Sequence, residues 1–411
     1  MSERRATGPA ERPLSPRAAA LLLVLLATLL AVRSGDPWRY LHDDNGRRYS
    51  SYARTHLALG LARTGGHDYF LDGRDGRLVP YGHHPPALSL LLAGWFAVTG
   101  HDGPRAARAL AGIFHLVSAG LVFGLLRRHH PGTPGVVAAL TFAVVPMSSF
   151  FGKMVNFEPF VLPFMIGAVI GWFRWAEGGS MAWLALAFLL VLLGTLIDWP
   201  ILLALPVFIA DALRRWRRTG DGTFALAGAV ACVFGLALAG ALAVWVSSPV
   251  GLGELAGAWS FRVHLHGHYP WWRLAGKLFD YNRRYFTEPV LAASLIAAAL
   301  LVRDAWRRRP FMPRERLLAL FGAVGILPVV GFPTSARYHA YWQFYLLPYA
   351  TLAVAHVLET LGGRMAPARR RFLHAVVVLW IVIGSTQLLW VRYSRPSGYV
   401  ARKVRELAPY L

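Results

Sequence analysis

The 411-residue chain is 55% hydrophobic and only 16% charged, with a mean hydropathy of +0.42. Soluble globular chains carry about a quarter charged residues, so this composition excludes an ordinary soluble domain. The formal net charge of +22 is almost wholly arginine, with Lys153, Lys277 and Lys403 the only lysines. The arginines gather at the ends of apolar runs and form no single basic segment, so they read as topology signals, and no nucleic acid partner is expected.

The N-terminal stretch "MSERRATGPAERPLSPR" (1–17) is basic and Pro-rich, and no small-residue cleavage site clearly follows the apolar run after it. Ala18–Val32 is therefore expected to be an uncleaved first span behind a cytoplasmic N-terminus. Further apolar runs follow at about 86–99, 106–126, 135–151, 159–175, 181–197, 199–213, 223–247, 289–303, 316–332, 339–358 and 372–391. The longer ones approach or reach the roughly 20 residues needed to cross hydrocarbon. They are apolar all round, whereas barrel strands alternate apolar and polar residues, so the spans are helices. The lone Cys232 lies within one of these runs, which leaves no disulfide framework and no thiol metal site.

The flanks of the runs set the count. If the run at 86–99 spans, the arginines of "LLRRHH" (125–130), "RRWRR" (214–218) and "RDAWRRRPFMPRER" (303–316) face outward. If it does not, all of them fall inside together with the N-terminus, as the positive-inside rule prefers. That run has only about 14 residues and follows Pro85-Pro86, which suits a re-entrant or interfacial helix. The expected fold is an all-α polytopic membrane protein of about 11 transmembrane helices. Residues 18–391 form the membrane domain, with long outer loops at 34–105 and 248–288 and a short outer tail at 392–411.

Most of the unusual polar residues then share the outer side. Asp43 and Asp44 precede an amphipathic helix expected over about 47–63; they fit a catalytic base for an attacking hydroxyl, or a cap on that helix. "YGHHPPALSL" (81–90) holds His83 and His84 at the rim before two helix-breaking prolines. "GKMVNFEPF" (152–160) puts Lys153 and Glu158 at the junction of two runs, where the helix dipole alone also favours an acid. Asp198 in "IDWP" lies between two apolar runs with almost no loop, where an ionisable residue is costly. His264, His266 and His268 alternate in "FRVHLHGHYPWW" (261–272) within an interfacial aromatic stretch, and a divalent metal ion is kept open as a cofactor. "TSARYHAYWQFYLLPYATLA" (334–353) brings Arg337, His339 and Gln343 to the end of a run, and arginine can grip a phosphate with paired hydrogen bonds.

The order of these segments resembles the protein mannosyltransferase/aminoarabinose transferase group of the GT-C superfamily, similar to glycosyltransferase family 39. "DDNGRRYSSYARTHL" is similar to that group's first-loop acidic motif, "HHPPALSLLLAGW" to its K-P-P-L segment with His84 in place of lysine, and "NFEPFVLPF" to its second acidic position at Glu158. "GTLIDWPILLALP" resembles a segment that often reads T-K-G-P, from which Asp198-Trp199 departs, and "RYHAYWQFYLLPYATLA" resembles the late R-x-x-Y-L-L-P segment. The resemblance covers most of 18–360. It implies juxtamembrane helices in the first outer loop and an inverting transfer from a polyprenyl-phosphate sugar at the outer surface of the cell membrane. Asp44, or Asp43, would be the catalytic carboxylate with Glu158 as a second acid. His84, Asp198, Lys153, Arg337, His339 and a first-loop arginine such as Arg54 would meet the phosphate and substrate. The acceptor is left open as protein, lipid or polysaccharide. A transporter or flippase of lipid-linked sugars is the rival, although its ionisable residues should lie near the bilayer midplane rather than at the rim.

Overall fold

The structure, a computed structural model, describes residues 13–71, 77–265 and 269–394. Helix α1 (Pro16–Ala31) starts where the Ser15 hydroxyl accepts the Ala18 N–H, with a proline in its first turn. The chain then forms α2 (Asp43–Leu59), the short α3 (Leu61–Thr64), a hairpin of β1 (Asp68–Leu71) and β2 (Leu78–Tyr81), and α4 (Ala87–Thr99). The hairpin is antiparallel, with Asp68 opposite Tyr81 and Leu71 opposite Leu78. α2 begins four residues before the expected start, and it packs on both α4 and β1.

The bundle itself follows as α5 (Pro104–His129), α6 (Thr133–Val144), the single turn α7 (Pro146–Ser149), α8 (Phe157–Ala176), α9 (Met181–Thr195), α10 (Ala204–Thr219) and α11 (Gly222–Ser247). Next come α12 (Leu252–Val263), α13 (Trp271–Phe286), α14 (Glu288–Trp306), α15 (Pro313–Gly331), α16 (Pro333–Tyr338), α17 (Leu347–Gly362) and α18 (Pro367–Ser394). Three 3-10 segments, Phe151–Lys153, Trp199–Leu203 and Ala340–Leu346, lie at junctions that matter below.

By length and composition, six helices can cross a membrane: α5, α8, α11, α14, α17 with its preceding 3-10 segment, and α18. A seventh arises if Thr133–Val144 and Pro146–Lys153, bent by 43° at Pro146, form one span. Every apolar run expected to span has a helix; the difference from eleven lies in α1, α9, α10 and α15, which are shorter or less apolar. α4 has 13 residues, fewer than a span needs, and packs on α2 and α5.

The core runs through α5, α6, α8, α15 and α17, which bury their faces against one another. Small residues let backbones close up. Gly325 of α15 is one place where no side chain fits: a Cβ there would come within 2.6 Å of the Tyr345 carbonyl, so glycine sets how closely the 340–346 segment lies on α15. At the end of the bundle remote from α2, the Arg316 guanidinium donates twice to Asp211, at 3.1 and 2.6 Å, and also to Glu177, while Trp172 donates to Asp211 at 3.0 Å. His130 and Arg314 meet Glu359 at 3.1 Å each. These networks satisfy every buried charge they contain, as a low-dielectric interior requires. Residues 395–411, which include most of the expected tail, and 1–12 lie outside the described residues.

Candidate active site

Four chain segments far apart in sequence meet at the α2 end of the bundle. The first is the start of α2. His42 is its N-cap residue, in the left-handed region at φ 68°, and neither Asp44 nor Asn45 caps the helix through its side chain. Capping therefore does not account for the paired acids; they occupy the first helical turn, where the dipole favours them.

The two acids have different surroundings. Asp43 is buried, and its Oδ2 accepts from the backbone N–H of Arg39 at 3.0 Å, that of Tyr40 at 2.8 Å and the Arg108 guanidinium at 2.9 Å. Arg108 in turn donates to the carbonyls of Ser34 at 2.8 Å and Asp36 at 2.5 Å, and lies 4.5 Å over the Trp38 ring. This acid ties the chain leaving α1 to α5, and all its accepting capacity on that oxygen is used. Asp44 is only partly buried, and its carboxylate forms no hydrogen bond or ion pair among the described residues. Its charge acts on His339 and Tyr341 across the opening. Gly46 fixes this arrangement, because a Cβ there would lie 2.5 Å from the Trp38 ring.

The second segment is the end of β2 with the start of α4. His84 stacks on Phe157 at 4.4 Å, and its Nδ1 lies 2.9 Å from Asp198 Oδ1. The Arg262 guanidinium, on α12, donates to His84 Nε2 at 3.1 Å. Burial, the main cause, together with Arg262 holds the His84 pKa below its usual value against the pull of Asp198. An imidazole that accepts at Nε2 must carry its proton on Nδ1, so His84 is neutral and donates to Asp198. Asp198 also accepts the Trp199 N–H at 2.9 Å and the Tyr345 hydroxyl at 3.4 Å.

The third segment is the start of α8. Glu158 is 1% exposed, accepts the Asn156 amide at 2.7 Å, and feels the Asp198 charge. The fourth is Tyr338–Tyr345. His339 packs on Tyr341 at 4.9 Å and on His42 at 5.5 Å, and the Asn45 amide donates to the Tyr341 hydroxyl at 3.3 Å. Burial pushes His339 down to about 4, and its buried Nδ1 has no partner.

Beside these groups lies a cavity of about 350 Å³ whose lining includes His83, Arg262, Thr334, Ser335, Tyr338 and His339; Asp44, His84, Asp198 and Glu158 stand behind that lining. The charges of Asp44, Arg262 and Lys277 all act on His339 at its edge. A second cavity of about 440 Å³ lies among α13, α14, α15 and α17. Its walls are almost wholly apolar (Leu291, Leu295, Leu301, Val302, Ile326), and Asn282 stands at one corner, donating to Gln343 at 3.2 Å.

Not every expected substrate contact is there. Lys153 turns away from the cavity: it donates to the Val32 carbonyl, sits 4.7 Å over the Tyr393 ring and feels Asp43 and Arg108. Arg54 is paired with Asp102 at 2.6 Å on an exposed surface. Arg337 lies 3.6 Å over the Tyr269 ring, with its carbonyl accepting from Tyr281. Asp198 faces His84 and offers no donor to an anion. Among the described residues, no group of three or more His, Cys, Asp or Glu could hold a metal ion. His264 is bound to Ser260, and His266 and His268 lie outside the described residues. Arg262, the cation the sequence reading missed, stands in an interfacial aromatic stretch where a snorkelling arginine is the ordinary expectation; only its contact with His84 sets it apart.

Residues 83–245 match the family model described as dolichyl-phosphate-mannose-protein mannosyltransferase. Among curated proteins, none matches the chain by sequence. In solved structures, ArnT from Cupriavidus metallidurans in the apo state is 18% identical with a TM-score of 0.55, over 87% of this chain and 61% of that one. The same protein bound to undecaprenyl phosphate gives 18% and 0.56, over 88% and 64%. The apo oligosaccharyltransferase of Archaeoglobus fulgidus gives 14% and 0.60, over 94% and 57%. The chain thus spans less than two thirds of the length of each. From its helices and these likenesses, the chain shares the fold of these solved structures, and its residues 83–245 match the family model named above.

Proposed function

We propose that this chain is a membrane glycosyltransferase that moves a sugar from a polyprenyl-phosphate donor to an acceptor hydroxyl or amine at the outer membrane surface. The observation that carries the reading is a shared focus: the partnerless carboxylate of Asp44 and the Arg262 guanidinium both act on His339, and Arg262 and His339 line one cavity. Base and anion acceptor are what displacement of a lipid phosphate from an anomeric carbon needs.

In the reaction, the acceptor oxygen or nitrogen attacks the anomeric carbon while Asp44 accepts its proton. The bond from that carbon to the phosphate oxygen breaks on the opposite face, its electron pair leaves with the phosphate, and configuration inverts. Arg262 receives the growing negative charge, with the unpartnered nitrogen of His339 as a further hydrogen-bonding group. Glu158 sits deeper, beside Asp198 and the tyrosines, where it orients the substrate. The apolar cavity among α13, α14, α15 and α17 suits a prenyl chain, which would enter from the lipid between α14 and α15. ArnT bound to undecaprenyl phosphate, and the Archaeoglobus fulgidus enzyme bound to an inhibitory peptide and a dolichol-phosphate, support the reading, since proteins of this fold hold lipid phosphates. The outward orientation rests on the arginine clusters, which lie at the helix ends remote from Asp44.

The test is sugar transfer in membranes or detergent supplied with labelled polyprenyl-phosphate sugars. Asp44→Asn should lose transfer while still binding undecaprenyl phosphate. Normal transfer by that variant, or protein-dependent movement of donor across vesicles with no transfer, overturns the reading.

A further inference from the structure

We propose that Asp198 is a positioning residue that sets Arg262 through the tautomer of His84; this rests on the reading of the cavity given above. The chain of contacts is short and directional. Asp198 Oδ1 lies 2.9 Å from His84 Nδ1, and His84 Nε2 lies 3.1 Å from the Arg262 guanidinium. The imidazole lies nearly parallel to the Phe157 ring at 4.4 Å and to the Tyr81 ring at 6.1 Å, so aromatic packing together with the two hydrogen bonds orients it. Asp198 itself is held by the Trp199 N–H, and the Trp199 indole donates to the His83 carbonyl at 3.1 Å, which pins the two segments together.

A guanidinium has only donors, so its neighbour at His84 must be a lone pair. The carboxylate at the far nitrogen guarantees one: it draws the single proton to Nδ1 and leaves Nε2 free. Without that acceptor, the proton can sit on Nε2, where it faces another N–H and leaves Arg262 held only by the Ala258 carbonyl, to which it donates at 2.9 Å. A lysine at position 84 has no lone pair when charged and would repel Arg262, so histidine at 84 and aspartate at 198 form a matched pair. The departing phosphate then meets one oriented guanidinium beside a neutral imidazole.

The test compares Asp198→Asn, Asp198→Leu and His84→Lys with the wild type. The amide oxygen of asparagine still accepts the Nδ1 proton; leucine does not. Binding of undecaprenyl phosphate in detergent should weaken about threefold for Asp198→Asn and about thirtyfold or more for Asp198→Leu, the loss expected when a hydrogen bond to a charged group is misdirected. His84→Lys, which has no lone pair to offer Arg262, should weaken binding like Asp198→Leu; wild-type binding by His84→Lys overturns the relay. In labelled-histidine NMR, His84 of the free wild-type protein should be the neutral Nδ1–H tautomer at neutral pH and should change in Asp198→Leu but not in Asp198→Asn. An Nε2–H or doubly protonated His84 in the wild type, or equal binding by the asparagine and leucine variants, overturns the relay. Failure of the wild type to bind undecaprenyl phosphate overturns instead the proposed function, because the tautomer is measured without any ligand.

Discussion

Asp43→Asn and Asp44→Asn should fail in opposite ways. Asp43 takes three hydrogen bonds on one oxygen, one of them from an Arg108 side chain that is 3% exposed. Breaking a buried ion pair from one side costs about 3–5 kcal/mol, because the remaining charge stays desolvated. Arg108 keeps its carbonyl acceptors at Ser34 and Asp36, so about 2–3 kcal/mol is the appropriate figure here. Asp44 has no partner to lose, and its removal forgoes only a helix-dipole term of about 0.3–1 kcal/mol. Removing a general base, by contrast, slows transfer about 100- to 10,000-fold. Thermal unfolding in detergent and transfer assayed on the same samples separate the two. The expected result is a lowered melting temperature for Asp43→Asn, near-wild-type melting with lost transfer for Asp44→Asn, and recovery of stability in Asp43→Asn/Arg108→Met, which removes both charges. An Asp43→Asn protein of full stability and no transfer, beside an active Asp44→Asn protein, would assign the base to Asp43 and refute the reasoning.

Three further outcomes follow from the same geometry. Arg262→Lys should raise KM for a polyprenyl-phosphate sugar by about tenfold, measured by initial rates, because an ammonium cannot share its donors between His84 and a phosphate as a planar fork does. Ala298→Trp in the apolar cavity should reduce discrimination between long and short prenyl donors; unchanged chain-length preference would place the tail elsewhere. His339 is held neutral, its pKa down at about 4 from 6.5, so the unfolded chain takes up a proton first: the stability it contributes is present above pH 6.5 and lost as pH falls toward about 4. Melting followed over that window should be less acid-sensitive in His339→Gln than in the wild type.

The sequence by itself determined the class of fold. Apolar runs leave the backbone no way to satisfy its polar groups in lipid except as helices, so the helical class and the places of the helices were legible from composition, while the number long enough to span was not. The short run at 86–99 was legible as a helix of 13 or 14 residues, fewer than the roughly 20 that cross hydrocarbon. The acids at 44, 158 and 198 were legible as unusual because charge beside lipid is costly. What only the tertiary structure decided was the partner of each charge. Asp43 and Asp44 are adjacent in sequence, yet one helical step turns the first toward Arg108 and the second toward His339. Lys153 is next to a segment that builds the site but points to Val32, while Arg262, over a hundred residues from Glu158, closes on His84. Hydrophobic periodicity is a local property of the chain, whereas the contact of a guanidinium with an imidazole lone pair depends on how α12 and the β2–α4 junction are packed, and no local pattern encodes that distance.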